Sequence, residues 1–233
     1  KQIPTIMNPA HIVKAHRMDI SKVSVSEPKT NNNGGKSIYL NYENHPLIVQ
    51  TPRMSLPYNM SVYDKGEYPK YSIDVAFRDM DDDYRVKGFY ESMTTLQEMI
   101  LNSCFKNSKQ WLGKSHKNID VTTAVFTPLI KKYVDKETGE ENGKYPDTMK
   151  FKLPVRDGKL GFTVVDFEDK EIENPDLATL LTKESKVQAI LTIIDRWKNK
   201  GYYPDNVKIN KKDIYEKIIL PIYKIYQQKL LDL

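Results

Sequence analysis

Two segments of the chain alternate apolar and polar residues with a period of two, which is typical of half-buried β-strands. In Lys70–Arg78, tyrosine, isoleucine, valine and phenylalanine share one side, and mainly small or polar residues share the other. In Met149–Leu153 the apolar side chains share one side, and Lys150 and Lys152 share the other. The pattern therefore predicts two strands, the second with an apolar inner face and a cationic outer face. A solvated surface is the simpler explanation of two outward lysines.

A turn-rich segment follows the second of these strands. Residues 154–159 contain the dipeptide Asp157-Gly158, and the apolar run Leu160–Val165 comes next. An Asp-Gly pair between two apolar runs is a strong local sign of an antiparallel hairpin. We therefore expect residues 149–153 and 160–165 to pair with each other.

Further strands are predicted wherever apolar or β-branched runs are bounded by turn residues. These are residues 37–43 with a return strand at 47–51 after a turn at 44–46, strand character over 121–134 interrupted by Pro128, a buried strand over 186–198, and a last strand at 202–209. Two prolines in Pro52–Tyr58 argue against a central strand and favour an edge or a bulge.

Helices are predicted where apolar residues recur at steps of three and four. Such a stripe runs through residues 81–112, with the acids Asp81–Asp83 where the positive end of the helix dipole would lie and Gly113 at its end. It places Cys104 in the core. A short helix is expected at 177–181, and a C-terminal helix at 213–233, kinked or broken at Pro221. These elements predict an α+β fold that is mainly antiparallel β, a barrel or sandwich with added helices.

Composition and motifs limit the functional classes. The 233 residues are 39% hydrophobic, and no apolar run approaches the roughly 20 residues that span a bilayer, so no membrane partner is expected. A single cysteine excludes an internal disulfide and fits a reducing compartment. The chain contains no GxxxxGK[ST], GxGxxG or HExxH motif, so we expect no enzyme activity, no cofactor and no metal site.

The net charge of +5 permits a polyanionic partner, and aromatic residues are abundant, with 15 tyrosines, 7 phenylalanines and 2 tryptophans. Many of them adjoin cations: Arg53 near Tyr58, Lys70 with Tyr71, Lys131-Lys132 with Tyr133, Lys144 with Tyr145, Phe151 between Lys150 and Lys152, and Trp197 between Arg196 and Lys198. Proteins that bind single-stranded nucleic acid combine a cationic groove with stacking rings. Packed rings covered by lysine stems are the alternative explanation for each pair.

Several motifs in order resemble the single-stranded-DNA-binding proteins of nucleocytoplasmic large DNA viruses, which are distantly similar to the corresponding protein of short-tailed phages. They lie between about Ile38 and Arg196: IYLNYE at 38–43, LIVQTPRMSLPY at 47–58, KYSIDV at 70–75, NSKQWLGK at 107–114, FTP at 126–128 and KYPDTMKFKLP at 144–154. QTPRMSLPY and KYPDTMKFKLP are the most specific of them.

The resemblance implies an OB-fold-like barrel that binds single-stranded DNA without sequence preference in viral replication, recombination or repair. Together with the weak periodicity of the first 35 residues, it predicts an extension at 1–35, the barrel at 36–200 with a helical insertion at about 81–113, and a second extension at 201–233. Charge and expected facing then select the contact residues. Phosphates would meet Arg53, Lys70, Lys150, Lys152, Arg156 and Arg196, and bases would stack on Tyr58, Tyr145 and Trp197.

A second hypothesis is a virion structural protein, a minor capsid or internal component whose barrel makes protein contacts. The amphipathic segment 213–233 is a candidate for contact with a second copy or with a capsid, and viral replication proteins are candidate partners. The expected location is the host cytoplasm or nucleus at the site of viral replication, with packaging in the virion under the second hypothesis.

Overall fold

The architecture comes from a computed structural model, which describes residues 11–30, 36–65, 69–135, 137–141, 143–156, 158–166, 168–197 and 222–228. For residues 36, 156, 194–197 and 222–228 it describes the backbone alone.

Most of the described elements are short strands. They are β1 (Ile12–Lys14), β2 (Val23–Val25), β3 (Lys29–Thr30), β4 (Lys36–Tyr42), β5 (His45–Pro46), β6 (Ile48–Gln50), β7 (Met54–Ser55), β8 (Ser61–Tyr63), β9 (Lys70–Ala76), β10 (Ile130–Lys131), β11 (Thr148–Leu153), β12 (Val155–Arg156), β13 (Lys159–Leu160), β14 (Thr163–Val165), β15 (Lys186–Thr192), β16 (Ile194–Trp197) and β17 (Ile222–Gln228). The α-helices are α1 (Tyr84–Lys106), α2 (Ser108–Leu112), α3 (Ile119–Thr123) and α4 (Leu177–Leu180).

Two larger sheets organise the described strands. The first has ten strands, with β1-β6-β15-β7-β9-β11-β10 in order and β8, β14 and β17 paired beside this path. The second surrounds β4, which pairs with β2, β3, β5 and β16. Only β1–β6 and β14–β17 are parallel among the described pairs. The predicted α+β class with a mainly antiparallel sheet is therefore confirmed. Helices α1 and α2 form the predicted helical insertion after β9.

The core lies between the inner face of the ten-stranded sheet and α1. Strand β11 alternates half-buried and fully buried residues, and its inner side chains Met149, Phe151 and Leu153 are at most 3% exposed. Helix α1 contributes the buried side chains Val86, Phe89, Met93, Leu96 and Ile100. Cys104, near the end of the same helix, is buried in a smaller cluster with Ile38 and Trp111. Each large apolar side chain buried this way contributes about 1.5–3 kcal/mol. The predicted facing of β9 and β11 and the burial of Cys104 are confirmed.

The ends of the helical insertion follow from local chemistry. Asp83 is the N-cap of α1, and its carboxylate accepts a hydrogen bond of 2.8 Å from the backbone N–H of Arg85. Gly113 adopts φ +79° directly after α2, a left-handed conformation that glycine accepts without steric cost. The predicted start and end of the helical segment are thus confirmed, with a break at Asn107.

The predicted long hairpin is wrong in its pairing. Strand β11 pairs over six residues with β9, and β14 pairs with β17. Within the predicted hairpin, only the two-residue strands β12 and β13 pair with each other, and Gly158 at φ +71° lies in the turn between them. The turn was correctly located, but a six-residue ladder with β9 offers β11 more backbone hydrogen bonds and buried cross-strand pairs than a local partner does.

The strand predicted over 121–134 is largely wrong. Its first part is α3, because the Asn118 side chain accepts a hydrogen bond from the Val121 N–H at 3.1 Å and caps a helical turn. Strand β10 has only two residues, beginning two positions after Pro128.

The segment with two prolines is a bulge and not an edge. Ser55 of β7 pairs with Lys186 of β15 and also with Ala76 of β9, so this strand has partners on both sides. Gln50 pairs with Ile190 of β15, and Met54 pairs with Val187. These two pairs are four residues apart on this segment but only three residues apart on β15. This extra residue is the bulge, and the prolines flank the paired residues.

The C-terminal helix is wrong for residues 222–228, which form the strand β17. This strand pairs antiparallel with β15 and parallel with β14. Pro221 has no N–H for a helical hydrogen bond, and the two neighbouring strands offer paired backbone groups to a segment rich in isoleucine and tyrosine. The strand predicted at 202–209 and the rest of the predicted helix lie outside the described residues.

Candidate nucleic-acid interface

The outer surface of β8, β9, β11 and β10 carries a cluster of lysines. Strand register aligns Lys152 with Ser72 and Lys150 with Asp74, on the side of the sheet away from the core. Lys131 of β10 pairs with Thr148 and therefore shares this side. Lys70 lies on the same side of β9, two residues before Ser72. We call Lys70, Lys131, Lys150 and Lys152 the basic face.

One exposed tyrosine borders the basic face at the β8 side. Tyr63 pairs with Lys70 in the antiparallel register, so the two side chains lie on the same side of the sheet. Tyr63 is 54% exposed. A cation and a flat ring thus stand next to each other at this end of the face.

A second aromatic group lies at the opposite end, where β10 ends and β11 begins. The rings of Tyr133 and Tyr145 meet edge to face with centroids 4.8 Å apart. The Lys144 ammonium lies 5.7 Å from the centroid of the Tyr145 ring. Tyr145 is 53% exposed, so its ring is accessible beside a positive charge.

The basic face also holds an acid that offsets part of its charge. The Lys150 ammonium donates to Asp74 Oδ2 at 2.8 Å, and the Asp74 side chain is only 17% exposed. Lys150 therefore has an ion-pair partner on the face itself, while Lys70 and Lys131 are exposed. The outward lysines predicted from the sequence are in place, and Asp74 partly neutralises Lys150.

The other predicted contact residues lie elsewhere. Arg53 is exposed in the bulge between β6 and β7. Tyr58 is 63% exposed after β7, and the next residue, Asn59, accepts a hydrogen bond from the Lys183 N–H at 2.7 Å. Strand register does not align either Arg53 or Tyr58 with the basic face.

Three further candidates are described by their backbone alone. Arg156 lies on β12 opposite Lys159. Arg196 and Trp197 lie on β16, opposite Ser37 and Lys36 of the second sheet. The structure therefore brings together Lys70, Lys150, Lys152 and Tyr145 from the predicted set, and it places Arg196 and Trp197 in the other sheet.

Tyr63 and Lys131 were not selected from the sequence. Tyr63 lies outside the strands predicted from the sequence, and only its pairing with Lys70 reveals its side. Lys131 did carry a signal, the Lys131-Lys132-Tyr133 run, but its strand was predicted with the wrong length. Cross-strand register is the information that the sequence lacks.

Two titratable side chains away from the basic face make structural contacts, and the described residues form no metal-type cluster. No three His, Cys, Asp or Glu side chains among them cluster as a metal site would require. Asp83 is engaged as a helix cap and in an ion pair with Arg85 at 2.7 Å, and a hydrogen bond from Arg85 lowers its pKa to about 2. Burial lowers the pKa of His116, whose Nδ1 lies 2.9 Å from Thr122 Oγ1. None of the described helices has the length and hydropathy to cross a bilayer.

Comparisons with known proteins give similarities in structure alone. No protein-family model matches the sequence, and no curated protein matches it. The chain is similar to the crystal structure of gp2.5, a single-stranded DNA binding protein encoded by bacteriophage T7, at 13% identity and a TM-score of 0.45, covering 80% of this chain and 88% of that one. It is also similar to the single-stranded DNA-binding protein from bacteriophage Enc34 in complex with single-stranded DNA, at 16% identity and a TM-score of 0.44, covering 88% and 96%.

Proposed function

We propose that this protein binds single-stranded DNA without sequence preference. The observation that carries the proposal is the basic face, a group of lysines on one side of a sheet with exposed tyrosine rings at both ends. Lysines can track the phosphates of a flexible strand, while rings can stack on bases of any identity. An unpaired strand exposes both groups at once, whereas a duplex hides the faces of its bases.

The biological setting follows from the sequence motifs. Because QTPRMSLPY and KYPDTMKFKLP resemble segments of proteins from nucleocytoplasmic large DNA viruses, we propose a role in viral DNA replication, recombination or repair. The protein would then act at the viral replication site in the host cytoplasm or nucleus, together with viral replication proteins. It would be a binding protein and not an enzyme.

The test is a binding titration with oligo-dT at several salt concentrations. Wild type should bind with an affinity that falls steeply with salt, with a slope of about −2 in log K against log salt if the three lysines other than Lys150 each neutralise one phosphate. The double variant Lys70→Glu/Lys152→Glu should lose most of this affinity. Its matched control is Lys87→Glu/Lys109→Glu, which reverses two exposed lysines on α1 and α2 and should bind as wild type does.

Two results would contradict the proposal. One is equal affinity of the wild-type protein for duplex and single strands, and the other is equal loss in the face and control variants. If the folded protein binds no oligonucleotide but assembles into particles, the virion structural role replaces this one.

A further inference from the structure

A cluster of lysines covers the tip of the helical insertion, from the end of α1 to the loop after α2. Residues 106–117 contain no Asp or Glu. Their four lysines, which we call the basic tip, are all exposed: Lys106, Lys109, Lys114 and Lys117. Two acids lie close by, because Glu27 accepts a hydrogen bond from Gln110 at 3.2 Å and Asp120 follows on α3. Positive charge therefore remains in excess at the tip.

The loop that carries two of these lysines has a fixed backbone. The backbone N–H of His116 donates to Ser108 Oγ at 3.1 Å, and His116 Nδ1 lies 2.9 Å from Thr122 Oγ1. Ser108 and Thr122 are both buried. Lys114 and Lys117 lie on either side of His116, so little backbone freedom is lost when they bind an anionic partner.

A structured acidic segment follows β14. Residues 166–176 carry six acids and one lysine, and we call them the acidic hairpin. Asp166 Oδ1 accepts a hydrogen bond from the backbone N–H of Glu168 at 2.8 Å, and Val165 forms an antiparallel bridge with Glu171. Glu168 and Glu171 are exposed. The hairpin therefore presents carboxylates on a backbone that is already ordered.

The two charged surfaces adjoin different parts of the sheet. Val165, at the base of the acidic hairpin, aligns through β17 with Gln188 near the start of β15. Trp111 of α2 packs with Ile38 of β4, and Ile38 pairs with Asp195 of β16, beyond the end of β15. The ion pairs of the described residues do not join the tip to the hairpin. Each surface is thus available to a second chain.

Another acidic run, Asp79–Asp83, is a weaker match for the basic tip. Arg78 and Arg85 flank its four acids, and Arg85 forms an ion pair with Asp83 at 2.7 Å. The acidic hairpin, with one lysine among six acids, keeps the larger net negative charge.

We propose that the basic tip docks on the acidic hairpin of a second copy of this chain. Opposite charges on the two surfaces attract each other and fix which surfaces meet. Because the contact joins two different surfaces, it leaves the hairpin of one copy and the tip of the other available, and further copies can add. The contact goes beyond the proposed function and does not depend on it, since neither surface includes the basic face.

Sedimentation velocity at low salt tests the contact. Wild type should form species larger than a monomer as its concentration rises, and about 1 M salt, which shortens the Debye length to about 3 Å, should return it to monomer. The tip variant Lys114→Glu/Lys117→Glu and the hairpin variant Glu168→Lys/Glu171→Lys should each stay monomeric. An equimolar mixture of these two variants should associate again, because their reversed charges are complementary.

The controls carry the same changes of charge at other exposed positions. Lys14→Glu/Lys87→Glu and Asp81→Lys/Asp82→Lys should both associate as wild type does. Because the contact joins copies, reversal of charge in the tip, at Lys109 as well, should leave the affinity for an oligo-dT that holds one copy unchanged.

Wild type that stays monomeric at low salt overturns the inference, and so does association that persists in either folded variant. A mixture of the two folded variants that does not associate also overturns it. If one variant does not fold, the other variant against its control decides the question. Absence of binding to oligo-dT would refute the proposed function and leave the outcome of these sedimentation experiments unchanged.

Discussion

Single side chains determine how much positive charge the basic face offers. Lys150 and Lys152 were predicted to face outward, and the alternating burial of β11 confirms this. The ion pair between Lys150 and Asp74 was not predicted, because the two residues are far apart in sequence and meet only across the β9–β11 register. Asp74 therefore reduces the attraction of this surface for a polyanion.

Asp74→Asn tests this role of a single charge. Removal of the carboxylate frees Lys150 for a phosphate, so single-stranded DNA should bind more tightly. The slope of log K against log salt should steepen by about 0.7. The pair is partly exposed, so the free energy of unfolding should change by less than about 1 kcal/mol. Fluorescence titrations at several salt concentrations measure the slope.

The matched control is Glu43→Gln, which removes an exposed carboxylate paired with Lys22 away from the basic face. It should leave the affinity for oligo-dT unchanged. An Asp74→Asn protein with weaker binding would show that the ion pair orients Lys150 for its ligand instead of competing with it.

The lowered pKa of Asp83 makes the stability of the folded protein depend on pH. A hydrogen bond from Arg85 holds its pKa at about 2 in the folded protein, below the ordinary value of 3.8. Its stabilising contribution is therefore complete above about pH 4 and is lost as the pH falls from about 4 to 2. Asp83→Asn keeps a capping side chain without this titration, so the difference in melting temperature between wild type and variant should shrink as the pH falls over this range.

Thermal melts between pH 2 and 6 measure this difference, which the exposure of Arg85 keeps small. Asp79→Asn, which changes a neighbouring acid outside the cap, is the control. A gap between Asp83→Asn and wild type that is constant with pH would contradict the assignment.

At the scale of elements, periodicity predicted which segments form helices and strands, but not which strands pair with each other. The stripe from Phe89 to Cys104 predicted α1, and alternation predicted β9 and β11. The partners of β11, β14 and β17 were not predicted, because alternation shows which face of a strand is buried and not which strand lies beside it.

The pairing of β17 with β14 and β15 predicts that residues 222–228 stabilise the sheet. A chain that ends at Pro221 lacks β17 and leaves β14 without this partner and one side of β15 unpaired. Exposed strand edges favour association between chains. We therefore expect a lower melting temperature and increased light scattering on heating. A chain that ends at Gln228 keeps β17 and should behave as the full chain does. Equal stability of the two truncated chains would show that β17 contributes nothing to the sheet.

At the scale of the whole molecule, the dimensions of the basic face set the length of strand it can hold. Strand β11 is six residues long, which is about 20 Å at about 3.3 Å per residue. This length separates the Tyr145 end of the face from the Tyr63 end. At an axial rise of about 3.4 Å per nucleotide, as for one stacked strand of B-form DNA, it corresponds to about six nucleotides.

The affinity for oligo-dT should therefore rise with length and level off near six to eight nucleotides per protein. Calorimetry on a length series measures both affinity and stoichiometry. Tyr63→Ala should weaken binding by about 1–3 kcal/mol for oligonucleotides that span the face, and have little effect on those too short to do so. Val62→Ala, at the neighbouring exposed position, is the control. A plateau at two or three nucleotides would show that the face is not used along its length.

The sequence by itself determined the α+β class, the positions of α1, β9 and β11, and the outward direction of Lys150 and Lys152. These features follow from local periodicity, helix capping and turn chemistry, which act over a few residues. Only the tertiary structure decided that Tyr63 joins Lys70, that Asp74 opposes Lys150, and that Gln97 of α1 accepts a hydrogen bond from the backbone N–H of Leu129. Each of these contacts joins separate elements, and strand register and helix packing, which set them, depend on the free energy of the whole core.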